Sequence, residues 1–348
     1  MIARKFKLST LLTSTLAVVF CTLSMGAAAQ KNWPEAIPIP TGFEAEGIEL
    51  GKGHEFFVGA NSLSSLFGEA FFGIPHETSE LAGAIYKGNL RTGKGAILSP
   101  PTGKSASGLS YDSRTDYLYA ATGFGGFDNV TGTFTFTGQG VTVYDASSGD
   151  FITEIEFGDG TGTINDCLVT RTGVYCTDSF NPILYKLVLE KGGRLPSTPV
   201  VEEIPMPGFV MVPGDFNANG LVGNFDGKQL VIVNSSSGVL YRVDTASGEA
   251  SAIAIEGAEP VFVNGDGLYL SGRTLYIMQN FLDKIAVVQL SGDLSGGEFI
   301  KNIPTRPMSV ATTIIGFGNS LYAINTDIFD RIFGNPAEVQ SEVVRLRK

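Results

Sequence analysis

Four oxygen-bearing side chains stand where predicted β-strands begin, in four separate parts of the chain. They are Glu46, Asn165, Asn219 and Asp266, and 220 positions separate the first from the last. Carboxylate and carboxamide oxygens suit Ca²⁺, which takes about six to eight oxygen ligands, and Mg²⁺ or Mn²⁺ could compete for them. A divalent ion held in this way can polarise a carbonyl or phosphoryl oxygen and lower the pKa of a bound water. If the fold brings the four residues together, they predict a metal site.

Each of these positions also has a simpler interpretation. Asn219-Gly220 and Asp266-Gly267 are pairs that commonly form turns, so any one of them could be only a turn. Their occurrence at the same point of four repeats, with Glu46 as the first, favours a shared site. Metals that prefer sulfur or nitrogen have no obvious ligands in this set.

The elements that must position these residues form a sixfold repeat. Aromatic or aliphatic triplets, typical of the second strand of a propeller blade, are centred on Phe57, Leu118, Tyr175, Val231, Tyr276 and Tyr322. The centres lie 61, 57, 56, 45 and 46 positions apart. Each spacing is about the length of one four-stranded blade. The repeat predicts an all-β fold, a six-bladed β-propeller, in which distant residues meet at one central channel.

The last repeat is incomplete in the sequence. After the triplet at Tyr322 one strand remains, over 342–346. The segment 36–40, which precedes the first repeat, is therefore predicted to join the last blade and close the ring, because closure removes exposed strand edges. Residues 30–348 are predicted to form this single domain, and no stretch shows convincing helical periodicity.

Three connections between second and third strands are long, at about 61–82, 123–140 and 325–341. In a propeller blade this connection emerges on the face where the first strand begins, so the three are predicted to surround the channel mouth. They carry Phe67, Phe71, Phe72, Phe124, Phe127, Phe134, Phe136, Phe329 and Phe333. These aromatic residues predict an apolar substrate or a lid, unless the loops only pack on one another.

The first 29 residues read as a secretory signal. Arg4, Lys5 and Lys7 precede an apolar stretch, and small residues at 27–29 suit cleavage after Ala29. The mature chain is expected to be exported, periplasmic or secreted, and no later apolar stretch is long enough to predict a membrane span. The formal charge is −11, and −14 without these three basic residues, which argues against nucleic-acid partners.

Two cysteines of the predicted mature chain flank a turn. If Arg171 and Thr172 form the loop, residues whose numbers add up to 343 face each other, and Cys167 then lies opposite Cys176. A disulfide is plausible in an oxidising compartment. A shift of the turn by one residue would instead leave two buried thiols.

The chain resembles the calcium-dependent six-bladed propellers of the senescence-marker-protein/gluconolactonase family and the related paraoxonase-type lactonases. Glu46-Gly47 is similar to the first metal ligand of that superfamily, and Asp266-Gly267-Leu268 to its acidic ligand. Asn219-Gly220, followed by the run 226–232, resembles its Asn-Gly and Asp-Gly-Lys elements, and Asn165 resembles the intervening Asn. The resemblance implies a fold of this type, Glu46, Asn165, Asn219 and Asp266 as Ca²⁺ ligands, and lactone or ester hydrolysis.

Within that resemblance, Asp266 would orient or deprotonate the attacking water, and Asn165 would position the ion and a small apolar substrate. A catalytic His of the paraoxonase type has no clear counterpart. His54 is predicted in a turn on the face opposite the mouth, with a structural role, whereas His76 lies in the first long connection, where proton transfer is conceivable. The alternative function is a non-catalytic binding module with a structural metal, because propellers host many unrelated functions.

Overall fold

Twenty-five strands and two short helices are seen in the structure, a computed structural model that describes residues 33–348 except 75–76, 129, 160–161, 307, 309 and 334–339. Only the backbone of residues 63, 67, 328 and 330 is described. The predicted signal segment 1–29 and His76 lie outside the described residues. The strands form six sheets, which are the six predicted blades.

In each blade the strand that begins the repeat lies at the channel, and in blades five and six the outermost strand comes from a segment of the chain that precedes that repeat. From the channel outward, blades one to three consist of β2 (Ala45–Leu50), β3 (Glu55–Ala60), β4 (Ile85–Asn89) and β5 (Gly95–Ser99); β6 (Ser105–Asp112), β7 (Tyr117–Asp128), β8 (Thr133–Asp145) and β9 (Phe151–Glu156); and β10 (Ile164–Val169), β11 (Gly173–Asp178), β12 (Ile183–Val188) and β13 (Val201–Pro205). Blades four to six consist of β14 (Ala218–Gly223), β15 (Gln229–Asn234), β16 (Leu240–Asp244) and β17 (Ala250–Ala252); β19 (Gly265–Ser271), β20 (Thr274–Gln279), β21 (Lys284–Leu290), β22 (Gly296–Pro304) and β18 (Ala254–Glu256); and β23 (Val310–Phe317), β24 (Ser320–Thr326), β25 (Glu342–Arg347) and β1 (Ala36–Pro38).

All six predicted triplets lie in the second strand of a blade. These strands are the most buried elements because each is covered by the neighbouring blades on both faces; in β15, for example, Leu230 to Asn234 are all buried. Apolar side chains fill the space between blades, as Phe56, Tyr322 and Ile37 do between blades one and six. Each fully buried large apolar side chain contributes roughly 1.5–3 kcal/mol. The core is therefore a ring of interblade layers around the channel.

The N-terminal strand closes the ring as predicted. Strand β1 pairs with β25 in antiparallel register, with Ile37 opposite Val343 and Pro38 opposite Glu342. The innermost strands contact one another in the cyclic order β2, β6, β10, β14, β19, β23 and back to β2. The first strands of all six blades therefore surround one channel.

Two short helices are present, although no stretch of the sequence shows convincing helical periodicity. Helix α1 (Leu63–Phe72) lies in the first long connection, and helix α2 (Ile328–Phe333) lies in the third. The second long connection is a hairpin, in which β7 and β8 continue to pair up to Asp128 and Thr133. None of the helices in the described part of the chain is long and apolar enough to cross a membrane.

Candidate functional site

A β-bulge interrupts every innermost strand at the same point. In each blade the register with the second strand shifts between Ala45 and Ile48, Ala106 and Leu109, Ile164 and Cys167, Ala218 and Leu221, Gly265 and Leu268, and Ala311 and Ile314. A bulge carries an extra residue and re-aims a side chain. We call the first residues inside the six bulges the collar: Glu46, Ser107, Asn165, Asn219, Asp266 and Thr312. All six collar residues line one cavity of about 590 Å³.

Four of the six bulges continue with a glycine, and the structure gives the reason. A Cβ on Gly47 would lie 2.2 Å from the carbonyl oxygen of Ser107, and one on Gly220 would lie 2.2 Å from that of Asp266. Glycine therefore permits the close approach of neighbouring innermost strands. Gly47, Gly220 and Gly267 lie inside strands, so these pairs are not turns. Glu46, Asn219 and Asp266 are therefore not residues of simple turns.

The fold brings all four predicted site residues to the cavity. Asp266 has a side-chain partner here, because Asn280 donates its Nδ2–H to Asp266 Oδ2 at 2.7 Å. The charge of Asp266 also acts on Glu46. Asn165 lines the cavity from blade three.

Serine hydroxyls fix the orientation of the two collar carboxamides. Asn165 Nδ2 donates to Ser179 Oγ, and Asn219 Nδ2 donates to Ser235 Oγ, both at 3.0 Å. Each serine hydroxyl in turn donates to a backbone carbonyl of the next blade, at Ala218 or Gly265. Because each serine proton is donated to a carbonyl, the serine oxygen can only accept from the amide nitrogen. The Oδ1 atom of each carboxamide therefore points away from the serine.

The cavity is acidic, and no basic side chain among its described lining residues balances the carboxyl groups. None of the described residues that line it is Lys, Arg or His. Burial raises the pKa of Asp266 to about 7, and the charge of Asp166 adds to this effect. Burial and the neighbouring charges of Asp266 and Asp166 also raise the pKa of Glu46. The two carboxyl groups therefore need either protons or a cation.

Two collar oxygens have no hydrogen-bond partner in the described structure. They are Glu46 Oε2 and Asn219 Oδ1, and both are buried. A buried oxygen without a donor is costly, so such atoms fit a site that a cation completes. The described residues contain no group of three or more His, Cys, Asp or Glu around a common point. The collar donors are carboxylate, carboxamide and hydroxyl oxygens, which fit a hard ion better than a metal that prefers sulfur or nitrogen.

Aromatic side chains surround the mouth of the cavity in two groups. In the first, Phe134 of the β7–β8 hairpin contacts Phe71, Phe127, Phe136, Phe180 and Phe216. In the second, Phe72 packs on Phe329 and Phe333, and Phe281 contacts Phe329. Phe71 and Phe72, which are consecutive in α1, thus face different groups. The predicted loops both pack on one another and line the cavity.

The two mouth helices are anchored to the start of β2 by one buried carboxylate. Ser64 donates its backbone N–H to Glu44 Oε2 at 2.9 Å and its hydroxyl to Glu44 Oε1 at 2.6 Å. Arg331 of α2 lies 2.8 Å from Glu44 Oε1. Glu44 thereby accepts a free N–H in the first turn of α1, where a negative charge is also favoured by the helix dipole.

Several site residues were missed in the sequence. Ser107, Thr312, Asn280, Phe216 and Phe281 all line the cavity. The signal for the first two was present: the collar residue stands ten to twelve positions before the centre of its triplet, as 107 before 118 and 312 before 322. Among the predicted aromatic residues, Phe71, Phe72, Phe136 and Phe329 line the cavity, whereas the side chain of Phe67 is not described.

Two remaining sequence predictions concern residues away from the cavity. Cys167 lies directly opposite Cys176, and the two form a disulfide as the turn numbering predicted. His54 lies in the turn before β3, where its ring contacts Trp33 and Phe317. His54 is not among the described lining residues, which agrees with the structural role predicted for it.

Solved structures with the same fold come from several sources. The major allergen Mala s 1 of Malassezia sympodialis has a TM-score of 0.61 at 12% identity, over 90% of this chain and 96% of that one. A protein of unknown function from Bacteroides thetaiotaomicron has a TM-score of 0.58 at 11% identity, over 91% and 74%. Regucalcin from Agrobacterium tumefaciens, described as a calcium-binding protein, has a TM-score of 0.54 at 14% identity, over 90% and 95%.

At these identities the likeness shows a shared propeller fold. No family model matches the sequence, and no curated protein matches it either. The chain is therefore placed by its architecture, a six-bladed β-propeller whose ring is closed by its N-terminal strand.

Proposed function

We propose that the protein is an exported Ca²⁺-dependent hydrolase, a lactonase or esterase that acts on small apolar substrates in the collar cavity. The observation that carries the proposal is the pair of buried carboxyl groups of Glu46 and Asp266. Both line the cavity together with carboxamide side chains, and Glu46 Oε2, Asn219 Oδ1 and Asn280 Oδ1 have no hydrogen-bond partner among the described residues. No basic side chain is found among the described lining residues. A divalent cation would satisfy both the charge and the oxygens.

Glu46, Asn165, Asn219 and Asp266 would hold the ion. A bound Ca²⁺ would polarise the substrate carbonyl and stabilise the negative charge that develops on its oxygen. Asp266 is the proposed base, and Asn280 holds its carboxyl group in place through the hydrogen bond to Oδ2. As the oxygen of a water bonds to the acyl carbon, Asp266 takes its proton. When the acyl C–O bond breaks, that proton goes to the departing oxygen, and Asp266 is ionised again.

The mouth supports an apolar and uncharged substrate. Phe72, Phe281 and Phe329 line the cavity above the collar, and they would cover the apolar part of the substrate and exclude water. Anionic substrates have no cationic side chain to meet them among the described lining residues. Regucalcin's description as a calcium-binding protein supports Ca²⁺ as the first ion to test.

Export is the other part of the proposal. The signal-like residues 1–29 and the Cys167–Cys176 disulfide support a periplasmic or secreted location, because disulfides persist in oxidising compartments. N-terminal sequencing of the protein recovered from periplasmic and culture fractions tests this part. A mature N-terminus at Gln30 is the expected result, and an intact Met1 in a cytosolic fraction would contradict it.

The activity is tested with the purified mature protein and a panel of lactones and aryl esters. Turnover is expected with Ca²⁺, loss of turnover after EDTA, and recovery when Ca²⁺ is added back. Turnover that persists unchanged in EDTA would refute the metal-dependent proposal. Mg²⁺ and Mn²⁺ in parallel titrations identify the preferred ion.

A second candidate is a non-catalytic propeller that binds a small apolar molecule around a structural ion. The absence of a group of three or more acidic, His or Cys side chains in the described residues favours a weak or structural ion. The exposed rings of Phe71 (62% exposed) and Phe72 (44%) favour binding at the mouth. Ca²⁺-dependent melting without turnover on any substrate of the panel would support this candidate over the hydrolase.

A further inference from the structure

A second set of polar residues lies behind the collar, at the position directly after the second strand of a blade. In blades one, three, four and five these residues are Asn61, Ser179, Ser235 and Asn280. Each makes a side-chain hydrogen bond to a collar residue. Ser179 and Ser235 accept from the amides of Asn165 and Asn219, so their role is to orient a neighbour.

Asn280 differs from the other three in two respects. Its Nδ2–H donates to a carboxylate, Asp266 Oδ2, at 2.7 Å. Its Oδ1 is buried and has no hydrogen-bond partner among the described residues. Asn61, the matching carboxamide of blade one, donates to Ser107 instead, and its Oδ1 accepts the backbone N–H of Ser62 at 2.7 Å. Asn61 is therefore satisfied at both ends and Asn280 at only one.

Three unpartnered oxygens belong to residues that line the cavity together with Asp266. Glu46 Oε2, Asn219 Oδ1 and Asn280 Oδ1 are buried without a hydrogen-bond partner among the described residues. Asn280 donates to Asp266, and the charge of Asp266 acts on Glu46. The bond from Nδ2 also sets the orientation of the Asn280 amide. The reversed amide would place its oxygen against the oxygen of Asp266 and lose the hydrogen bond.

We propose that Asn280 is a fifth oxygen ligand of the collar cation and the residue that orients Asp266. The inference rests on the cation site of the proposed function. One carboxamide then serves two purposes: its nitrogen holds a ligand carboxylate in place, and its oxygen adds to the coordination shell. With Glu46, Asn165, Asn219 and Asp266, the protein supplies five of the about six to eight oxygens that Ca²⁺ takes.

Calorimetric titration of the EDTA-stripped mature protein with Ca²⁺ tests the proposal without any measurement of turnover. Asn280→Ala removes both functions, and its Ca²⁺ affinity is expected to fall by about 10- to 100-fold. Asn280→Asp keeps an oxygen at the position of Oδ1 and adds a negative charge, so its affinity is expected to equal or exceed that of the wild type. Asn61→Ala is the matched control, with unchanged affinity expected.

The variants separate ligation from orientation. If Asn280 only donated to Asp266, Asn280→Asp would lose the donor, set two carboxylates against each other and bind Ca²⁺ as weakly as Asn280→Ala. That result, or wild-type affinity in Asn280→Ala, would overturn the inference. A wild-type protein that binds no Ca²⁺ would instead remove the cation site on which the proposed function also depends. Far-UV circular dichroism verifies folding, and Asn280→Asp decides the test if Asn280→Ala does not fold.

Discussion

The collar and the mouth of the cavity are built in opposite ways. The collar repeats one backbone feature six times, a bulge at the same point of every innermost strand, and varies only the side chain. The mouth has no such repeat: a helix, a hairpin and a second helix, each inserted at the same kind of connection, supply its aromatic side chains.

This difference indicates how the two regions constrain a ligand. Collar side chains project from strands that neighbouring blades hold on both sides, so their positions are set by the ring as a whole. Mouth side chains are held by ring contacts and by Glu44, and Phe71, Phe72, Phe281 and Phe333 remain exposed. The collar is therefore suited to chemistry that needs fixed oxygens, and the mouth to adaptable apolar contact.

The largest effect is expected when one carboxylate is removed from the collar and, for comparison, one from the mouth. Asp266→Ala is expected to lower kcat/KM for ester hydrolysis by about 10²–10³-fold, since it removes the proposed base and an ion ligand. Asp215→Ala is the control, because Asp215 also lines the cavity but lies exposed near the mouth. Equal losses in the two variants would show that the collar carboxylate has no special role.

The next largest expected effect is a loss of stability when a collar glycine is replaced. Gly47→Ala is expected to destabilise the protein by about 1–3 kcal/mol, because its Cβ would meet the Ser107 carbonyl oxygen at 2.2 Å and the strands would have to separate. Gly292→Ala, where no atom lies within 4 Å of the new Cβ, is the control. Urea unfolding of both variants measures the difference, and a stable Gly47→Ala would mean that the innermost strands tolerate a wider spacing.

The pH dependence of the metal-free protein probes the collar charges. The pKa of Asp266 is raised from 3.8 to about 7, so the folded state holds a proton that the unfolded state releases. Stability therefore falls as pH rises from about 4 to 7 and is constant above that range for this group. In EDTA the Tm of the wild type is expected to fall by several °C between pH 5 and pH 8.

The control for this pH series is Asp266→Asn, which cannot ionise at that position. Its Tm should change less with pH than that of the wild type. Ca²⁺ should raise the wild-type Tm more at pH 8 than at pH 5, because a cation competes with protons for the same oxygens. A wild-type Tm that rises with pH in EDTA would contradict the proposed collar electrostatics.

The smallest expected effect belongs to the mouth. Phe72→Ala should raise KM for an apolar aryl ester about fivefold, equivalent to about 1 kcal/mol of lost apolar contact, and leave Ca²⁺ affinity unchanged. Phe151→Ala is the control, since Phe151 is exposed on β9 and is not a lining residue of the cavity. A Phe72→Ala variant with reduced Ca²⁺ affinity would show that mouth and collar are not separable.

The blade architecture could be predicted from the sequence because the repeated apolar triplets reflect the burial of the second strand of each blade. The triplets around Phe57, Tyr175 and Tyr322 are apolar because every second strand lies between two blades, and that requirement is visible without coordinates. Glu46 and Asp266 were found because oxygen-bearing side chains recur at the same point of four repeats. Ser107 and Thr312 occupy the same position, but Ser and Thr are common in strands and gave no chemical signal.

The mouth was less predictable for a different physical reason. Helix α1 has Ser62 as its N-cap residue, but the Ser62 side chain makes no capping bond. Glu44, a residue outside the helix, supplies the carboxylate for Ser64 instead. Most helical stability in proteins comes from tertiary contacts, and the contact with Glu44 could not be read from the local sequence of α1. Asn280 was missed likewise, because its importance arises from contact with Asp266, fourteen positions earlier across a bulge.

A Ca²⁺ titration of EDTA-stripped protein beside the double variant Glu46→Gln/Asp266→Asn tests whether the collar binds one divalent cation. We expect one Ca²⁺ per wild-type chain, with proton release near pH 7, and no binding by the double variant. No binding by the wild type, or equal binding by both proteins, would contradict it, because the ion would then be absent or held elsewhere.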